Sequence, residues 1–248
     1  MKNQSESSLP VPALRLPAGT GVDTSKAVTF KYDGVVYQGV EGDTLASALL
    51  ANGVKLVGRS FKYHRPRGIY TAGPEEPNAL MQLEEGAYSE PNTRATQVDL
   101  YQGLMVKSQN CFPTVGFDIG AINSVLARFL PAGFYYKTFM WPASMWMTYE
   151  KFIRRAAGLG VSPKEPDSDN YEQLYAHCDV LVAGGGIAGI SAAVAAAKTG
   201  ARVILMDEQC EPGGAALWNS GTIDGKAAHT WVREQTVSYT HLTLPTKA

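Results

Sequence analysis

The segment from Asp179 to Gly214 constrains this chain more than any other part of it. Asp179-Val-Leu-Val-Ala183 is a short apolar run, the pattern of a strand buried in a parallel sheet. It leads into Gly184-Gly185-Gly186-Ile187-Ala188-Gly189, which contains G-x-G-x-x-G. A small-residue helix follows from Ile190 to Lys198, closed by Gly200, and Arg202-Val-Ile-Leu-Met206 reads as a second strand ending in Asp207-Glu208. Glycine is common here, 25 residues of 248, so the bare motif says little. The order strand, glycine turn, helix, strand, acid is what identifies the start of a Rossmann-like domain.

Each position has a physical task. Gly184 lets the chain turn tightly off the strand, Gly186 lets backbone approach a pyrophosphate, and Gly189 lets the helix pack close to the sheet. The helix start offers unpaired N–H groups and a positive dipole end to phosphate. Asp207, at the tip of the second strand, would accept ribose hydroxyls and repel a 2′-phosphate, favouring NAD or FAD over NADP. A second glycine pair, Gly213-Gly214, is read either as a close approach to the cofactor or as a plain loop. Val180 to Ala197 is uncharged and 18 residues long, but its glycines break any regular helix, so it is read as strand, turn and buried helix rather than a membrane span.

The preceding chain reads as α+β. Val28, Phe30 and Tyr32 alternate with polar residues, Asp33-Gly34 supplies a hairpin turn, and Val35 to Val40 continues it. Asp43-Thr44 caps a helix from Leu45 to Asn52, stopped at Gly53. Hairpin then helix opens a ubiquitin-like or ferredoxin-like β-grasp, and other small α+β domains as well. Lys55 to Arg67 carries five basic residues and no acid. The formal net charge of −1 argues against nucleic acid, so these are read as a solvated loop pairing with Glu75, Glu76, Glu84 or Glu85.

Tyr101 to Phe152 holds 12 of the 24 aromatic residues, and Thr138 to Tyr149 has no charge. Pro131, Gly133 and Pro142 prevent one long helix, so this is a packing or interface segment. Lys151 to Gly158 reads as a short basic helix and Ser162 to Asn170 as a linker. Cys111, Cys178 and Cys210 stand far apart with no Cys-x-x-Cys, which fits a reduced, cytoplasmic setting. The expected division is a flexible arm at 1–25, a β-grasp domain at 26–100, a connecting segment at 101–170, a partial nucleotide domain at 171–236 and a tail at 237–248. That tail, VSYTHLTLPTKA, departs from the preceding pattern and is set aside as non-native.

Five stretches carry a family resemblance: Arg59–Tyr70, Pro131–Pro142, Ile153–Gly160, His177–Gly189 and Ala201–Gln209. In this order they resemble the alpha subunits of heterotetrameric sarcosine oxidases, with opine and proline-type amino-acid dehydrogenase alpha subunits close behind. The resemblance implies a 2Fe-2S ferredoxin-like β-grasp domain leading into an FAD/NAD(P)-type domain that holds NAD. It further implies beta, gamma and delta partner subunits, FAD and FMN elsewhere in the complex, and a tetrahydrofolate-binding rear half beyond this N-terminal fragment.

By the same resemblance Gly184, Gly185, Gly186, Ile187, Ala188, Gly189, Gly214 and Ala215 would lie about the pyrophosphate. Asp207 would take the ribose, and Glu208 and Gln209 the adenosine end. Residues 54–100 contain no cysteine, so the first domain is expected to be cluster-less and structural. His64, His177 and His229 are scattered, and no catalytic residue is assigned. Two other readings remain: a non-catalytic NAD-holding scaffold, and an FAD-dependent oxidoreductase using the same glycine turn.

Overall fold

The computed structural model describes residues 14–16, 22–129, 133 and 141–243. They fall into two compact units that divide between Ser168 and Asp169. In the first, β1 (Asp23–Tyr32) and β2 (Val35–Glu41) form the expected antiparallel hairpin. Asp33 and Gly34 make its turn with φ of 48° and 81°, left-handed at both central positions as a two-residue hairpin turn requires. Helix α1 (Leu45–Ala51) starts at Thr44, whose hydroxyl accepts the Ser47 N–H at 3.2 Å, and ends at Asn52.

Two short strands, β3 (Gly58–Arg59) and β4 (Pro66–Arg67), pair with each other. Then β5 (Leu80–Leu83), β6 (Glu90–Arg94) and β7 (Met105–Ser108) complete a five-stranded sheet in the order β2-β1-β7-β5-β6. β7 runs parallel to β1 and antiparallel to β5. The middle strand of the β-grasp therefore lies beyond residue 100, where the domain was expected to end. Phe30, Leu45, Leu49, Val57, Met81 and Leu104 form its core, all at most 1% exposed. Burying each such large side chain contributes roughly 1.5–3 kcal/mol.

Part of the expected flexible arm is docked on this core. The Leu14 N–H donates to the Ala51 carbonyl at the end of α1. Arg15 grips the buried Asp43 carboxylate with both terminal nitrogens, one of them at 3.1 Å. Asp43 also accepts from the Val40 N–H at 3.0 Å and the Ser47 hydroxyl at 2.7 Å, so one carboxylate ties arm, hairpin and helix together. The rest of residues 1–21 lies outside the described residues.

The aromatic segment is not absorbed into that core. Phe112, Phe117, Phe129, Trp141 and Phe152 are all exposed around α2 (Ile122–Val125) and α3 (Trp146–Ala156). Of the two expected uses, internal packing is not seen for these side chains. Most of Pro131–Pro142 lies outside the described residues. The short basic helix expected at 151–158 is the second half of α3, with Arg154 paired to Glu150 one turn earlier at 2.6 Å.

In the second unit, β8 (Val180–Ala183), α4 (Ile187–Ala197) and β9 (Val203–Met206) form the expected strand–helix–strand. The strands are parallel, in register from Val180↔Val203 to Ala183↔Met206. Ala193 and Ala197 of α4 pack on Val203 and Val182. The strand at 179–183 is nevertheless not buried: Leu181 is 57% exposed. Among the described residues the sheet has only these two strands, so one helix covers it and much of its apolar surface stays open. A hairpin of β10 (Thr222–Ile223) and β11 (Lys226–Ala227) leads into α5 (Ala228–Thr243), whose Trp231 and Val232 close a second core with Ile190 and Val194. α5 passes through residue 237, so the segment set aside as a tail begins inside a helix; residues 244–248 lie outside the described ones. No described helix is long and apolar enough to cross a membrane.

Candidate dinucleotide site

The glycine turn is built as its sequence demands. Gly184 sits at φ +103°, a conformation that side chains disfavour, and its N–H bonds the Met206 carbonyl at 2.8 Å. Gly186 precedes α4 in extended conformation, and a methyl group added there would project into open space. Gly189 is the tightest point: a Cβ there would stand 1.8 Å from the Gly184 carbonyl oxygen. The first helical hydrogen bond runs from the Ile190 N–H to Gly186. The N–H groups of Ile187, Ala188 and Gly189 thus precede the ladder and point out of the helix start.

Asp207, at the end of β9, is held to the turn by the turn's backbone. One carboxylate oxygen accepts the Gly185 N–H and the other the Gln209 N–H at 2.8 Å. A carboxylate has about four acceptor sites, so capacity is left for two hydroxyls. Glu208 is exposed beside it and Gln209 half-buried. The loop after β9 also reaches the turn. Gly213 donates to the Gly185 carbonyl at 2.7 Å, pairing strand-like with Gly186, and a Cβ on Gly214 would meet the Gly186 Cα at 3.3 Å. Ala215 follows in a short 3₁₀ turn, Gly214–Leu217. The structure thus gathers the glycine turn, the acid and the second glycine pair at one end of the parallel strands. Open space at Gly186, unengaged amides and spare carboxylate capacity fit a dinucleotide phosphate and ribose.

Elsewhere the structure makes pairings that sequence reasoning missed. The acids expected to neutralise the basic loop are engaged differently: Glu76 binds backbone, Glu84 accepts the Tyr101 hydroxyl at 2.6 Å, and Glu85 pairs with Lys107 at 2.6 Å. Arg59 of that loop instead donates to the carbonyls of Val115, Gly116 and His64. His64 Nδ1 lies 2.6 Å from the Asp118 carboxylate, which also accepts the Phe112 and Gly120 N–H groups. The pair spans 54 residues, and no local pattern announces it. Burial pushes the Cys111 thiol up, away from nucleophilic character. Among the described residues no three His, Cys, Asp or Glu side chains converge as metal ligands.

Comparison with known proteins agrees with this architecture. Residues 25–111 match the family described as a 2Fe-2S iron-sulfur cluster binding domain, and residues 179–240 the FAD dependent oxidoreductase family. The chain is 59% identical over 221 residues to the sarcosine oxidase subunit alpha of Rhizobium meliloti (strain 1021), covering 89% of this chain and 22% of that protein. It is 34% identical over 226 residues to the subunit alpha of Corynebacterium sp. (strain P-1), covering 90% and 18%, and 34% identical over 219 residues to that of strain U-96, covering 87% and 18%. The chain thus spans about a fifth of the length of these relatives. Among solved structures, L-proline dehydrogenase from P. horikoshii aligns with a TM-score of 0.47 and 20% identity, covering 86% of this chain and 31% of that one.

The first family's description implies an iron–sulfur cluster, and the donor set can be tested against it. Plant-type clusters take four thiolates, and Rieske clusters two thiolates and two imidazoles. Residues 25–111 offer one cysteine, Cys111, and one histidine, His64. These residues do not fit a cluster. By sequence, this chain is similar to the sarcosine oxidase alpha subunits, with a β-grasp domain matching the 2Fe-2S family ahead of a segment matching the FAD dependent oxidoreductase family.

Proposed function

We propose that this chain is the nucleotide-holding part of the alpha subunit of a heterotetrameric sarcosine oxidase. The enzyme would convert sarcosine, tetrahydrofolate and oxygen to glycine, methylenetetrahydrofolate and hydrogen peroxide. The beta, gamma and delta subunits would be its partners, with FAD, FMN and the folate site outside or at the edge of this chain. The observation that carries the reading is the 59% identity to a sarcosine oxidase alpha subunit across a glycine turn whose backbone anchors Asp207. Three cysteines that stand far apart in the sequence, with no Cys-x-x-Cys, support a reducing, cytoplasmic setting.

In this proposal NAD binds at the turn. Its redox-active nicotinamide is the chemistry the group supplies; the chain's own residues bind and orient. The open face of Gly186 and the amides of Ile187, Ala188 and Gly189 take the pyrophosphate, with Gly184 and Gly185 shaping the turn and Gly214 and Ala215 closing the other side. Asp207 takes the ribose, and Glu208 and Gln209 border the adenosine end. The match of residues 179–240 to the FAD dependent oxidoreductase family favours a second reading, in which FAD occupies the same turn. Denaturing the purified full-length complex and identifying the released cofactors by mass separates the two. NAD in amounts equal to the alpha subunit is expected; its absence, with FAD in excess of the flavin sites on other subunits, supports the second reading. Assays on sarcosine, octopine and proline test the substrate, and turnover of another amine without sarcosine oxidation would overturn the proposal.

A further inference from the structure

The β-grasp domain has no thiolate set for a cluster, yet one of its loops is wrapped around an anion. That loop joins β4 to β5, and Glu76 lies within it between Pro74 and Pro77. Glu76 is 1% exposed. One carboxylate oxygen accepts the N–H groups of Tyr70 and Thr71, each at 2.7 Å. The other accepts those of Asn78 at 2.8 Å and Ala79 at 3.2 Å, and the Thr71 hydroxyl stands 3.3 Å from the first. Among the described residues no cation pairs with it. The negative charge is held by four backbone N–H dipoles and one hydroxyl, which is how an anion becomes the organising centre of a loop.

Residues remote in sequence complete the enclosure. Just after β6 the buried Thr96 donates its hydroxyl to the Gly73 carbonyl at 2.7 Å, and Arg94 at the end of β6 donates through Nε to the Glu76 carbonyl at 3.2 Å. A plant-type cluster is held in the same two-part manner, three ligands from one short loop and a fourth from a distant segment, with further hydrogen bonds to its sulfurs. In this chain loop 70–79 and segment 94–96 close on a carboxylate. We propose that Glu76 replaces an iron–sulfur cluster as the internal anion on which this loop folds, so that the domain reaches its native structure without metal. The proposal concerns the first unit alone and does not rest on the nucleotide reading of the second.

The test uses the full-length subunit in its complex. Anaerobic incubation with iron and sulfide, followed by iron analysis, is expected to leave no cluster attributable to this domain. Hydrogen exchange is expected to show the amides of Tyr70, Thr71, Asn78 and Ala79 protected in the wild type. In Glu76→Gln, which keeps the shape but turns an amide group toward N–H donors, their protection should fall about ten- to a hundred-fold while the β1–β2 amides keep theirs. Uptake of a stoichiometric cluster, unchanged protection in Glu76→Gln, or wild-type exchange at these four amides as fast as in exposed loops would each overturn the proposal. The iron analysis and the wild-type exchange decide the matter even where the variant does not fold.

Discussion

The two units solve the burial problem with different sheets, the first mixed but mainly antiparallel and the second a parallel pair. In the first, hairpins and one helix bring five strands together, and Phe30 and Met81 at its centre are at most 1% exposed. In the second, a parallel pair needs the whole of α4 as its crossover, and Leu181 and Met206 remain more than half exposed. Antiparallel neighbours can be joined by two residues, whereas each parallel neighbour requires a dozen or more. A similar length of chain therefore builds five strands in the first unit and, among the described residues, one parallel pair in the second. The deepest burial lies in the first unit and the glycine turn with its carboxylate in the second.

Core truncation should break the symmetry between the units most strongly. Phe30→Ala is expected to destabilise the first by about 3–5 kcal/mol, while Leu181→Ala in this chain changes stability by no more than about 0.5 kcal/mol. Urea unfolding followed by probes in each unit measures both; equal effects would show that the second sheet is as buried as the first. Next in size is Gly189→Val, which forces a branched side chain against the Gly184 carbonyl. Dinucleotide affinity should fall by about two orders of magnitude, or roughly 2.7 kcal/mol, with the first unit's transition unmoved. Calorimetric titration beside thermal scanning reads the two quantities together.

Asp207→Asn should cost about tenfold in affinity for NAD and narrow the preference over NADP, since the charge that repels a 2′-phosphate is gone. The smallest effect distinguishes the units by acid. Burial pushes the Glu76 carboxyl up, but the four backbone N–H donors outweigh it and hold it below the usual value of 4.5. The native state therefore binds this proton more weakly than the unfolded chain. The stability Glu76 contributes is complete above the ordinary carboxylate range and is lost as pH falls through it toward the depressed folded value. Asp23 and Glu85 are lowered too, but on the surface, where salt screens them. In high salt the first unit's melting temperature should drop from about pH 5 downward, and by less in Glu76→Gln.

What the sequence made legible was local. Asp33-Gly34 announces its hairpin, Thr44 caps the helix three residues ahead, and the glycine spacing predicts a turn that the backbone angles reproduce. Asp224-Gly225 is the same signature, with φ of 51° and 76°, but its strands are two residues each and show no alternation to read. Long-range choices were hidden. Glu75 and Glu76 are adjacent and chemically alike, yet one is exposed and the other collects four amides, because only the folded loop decides which carboxylate faces inward. β7 is four residues, Met-Val-Lys-Ser, with nothing in its composition to mark the middle of a sheet. Gly213 and Gly214 could be read either way until the backbone bond to Gly185 placed them at the turn.

The grip of Arg15 on Asp43 bears on how the β-grasp can be handled in isolation. A recombinant version started at residue 22, the apparent head of β1, would discard the cation and strand a carboxylate in a dry interior. Its poor yield would then be mistaken for dependence on the missing subunits, when the discarded Arg15 holds the remedy.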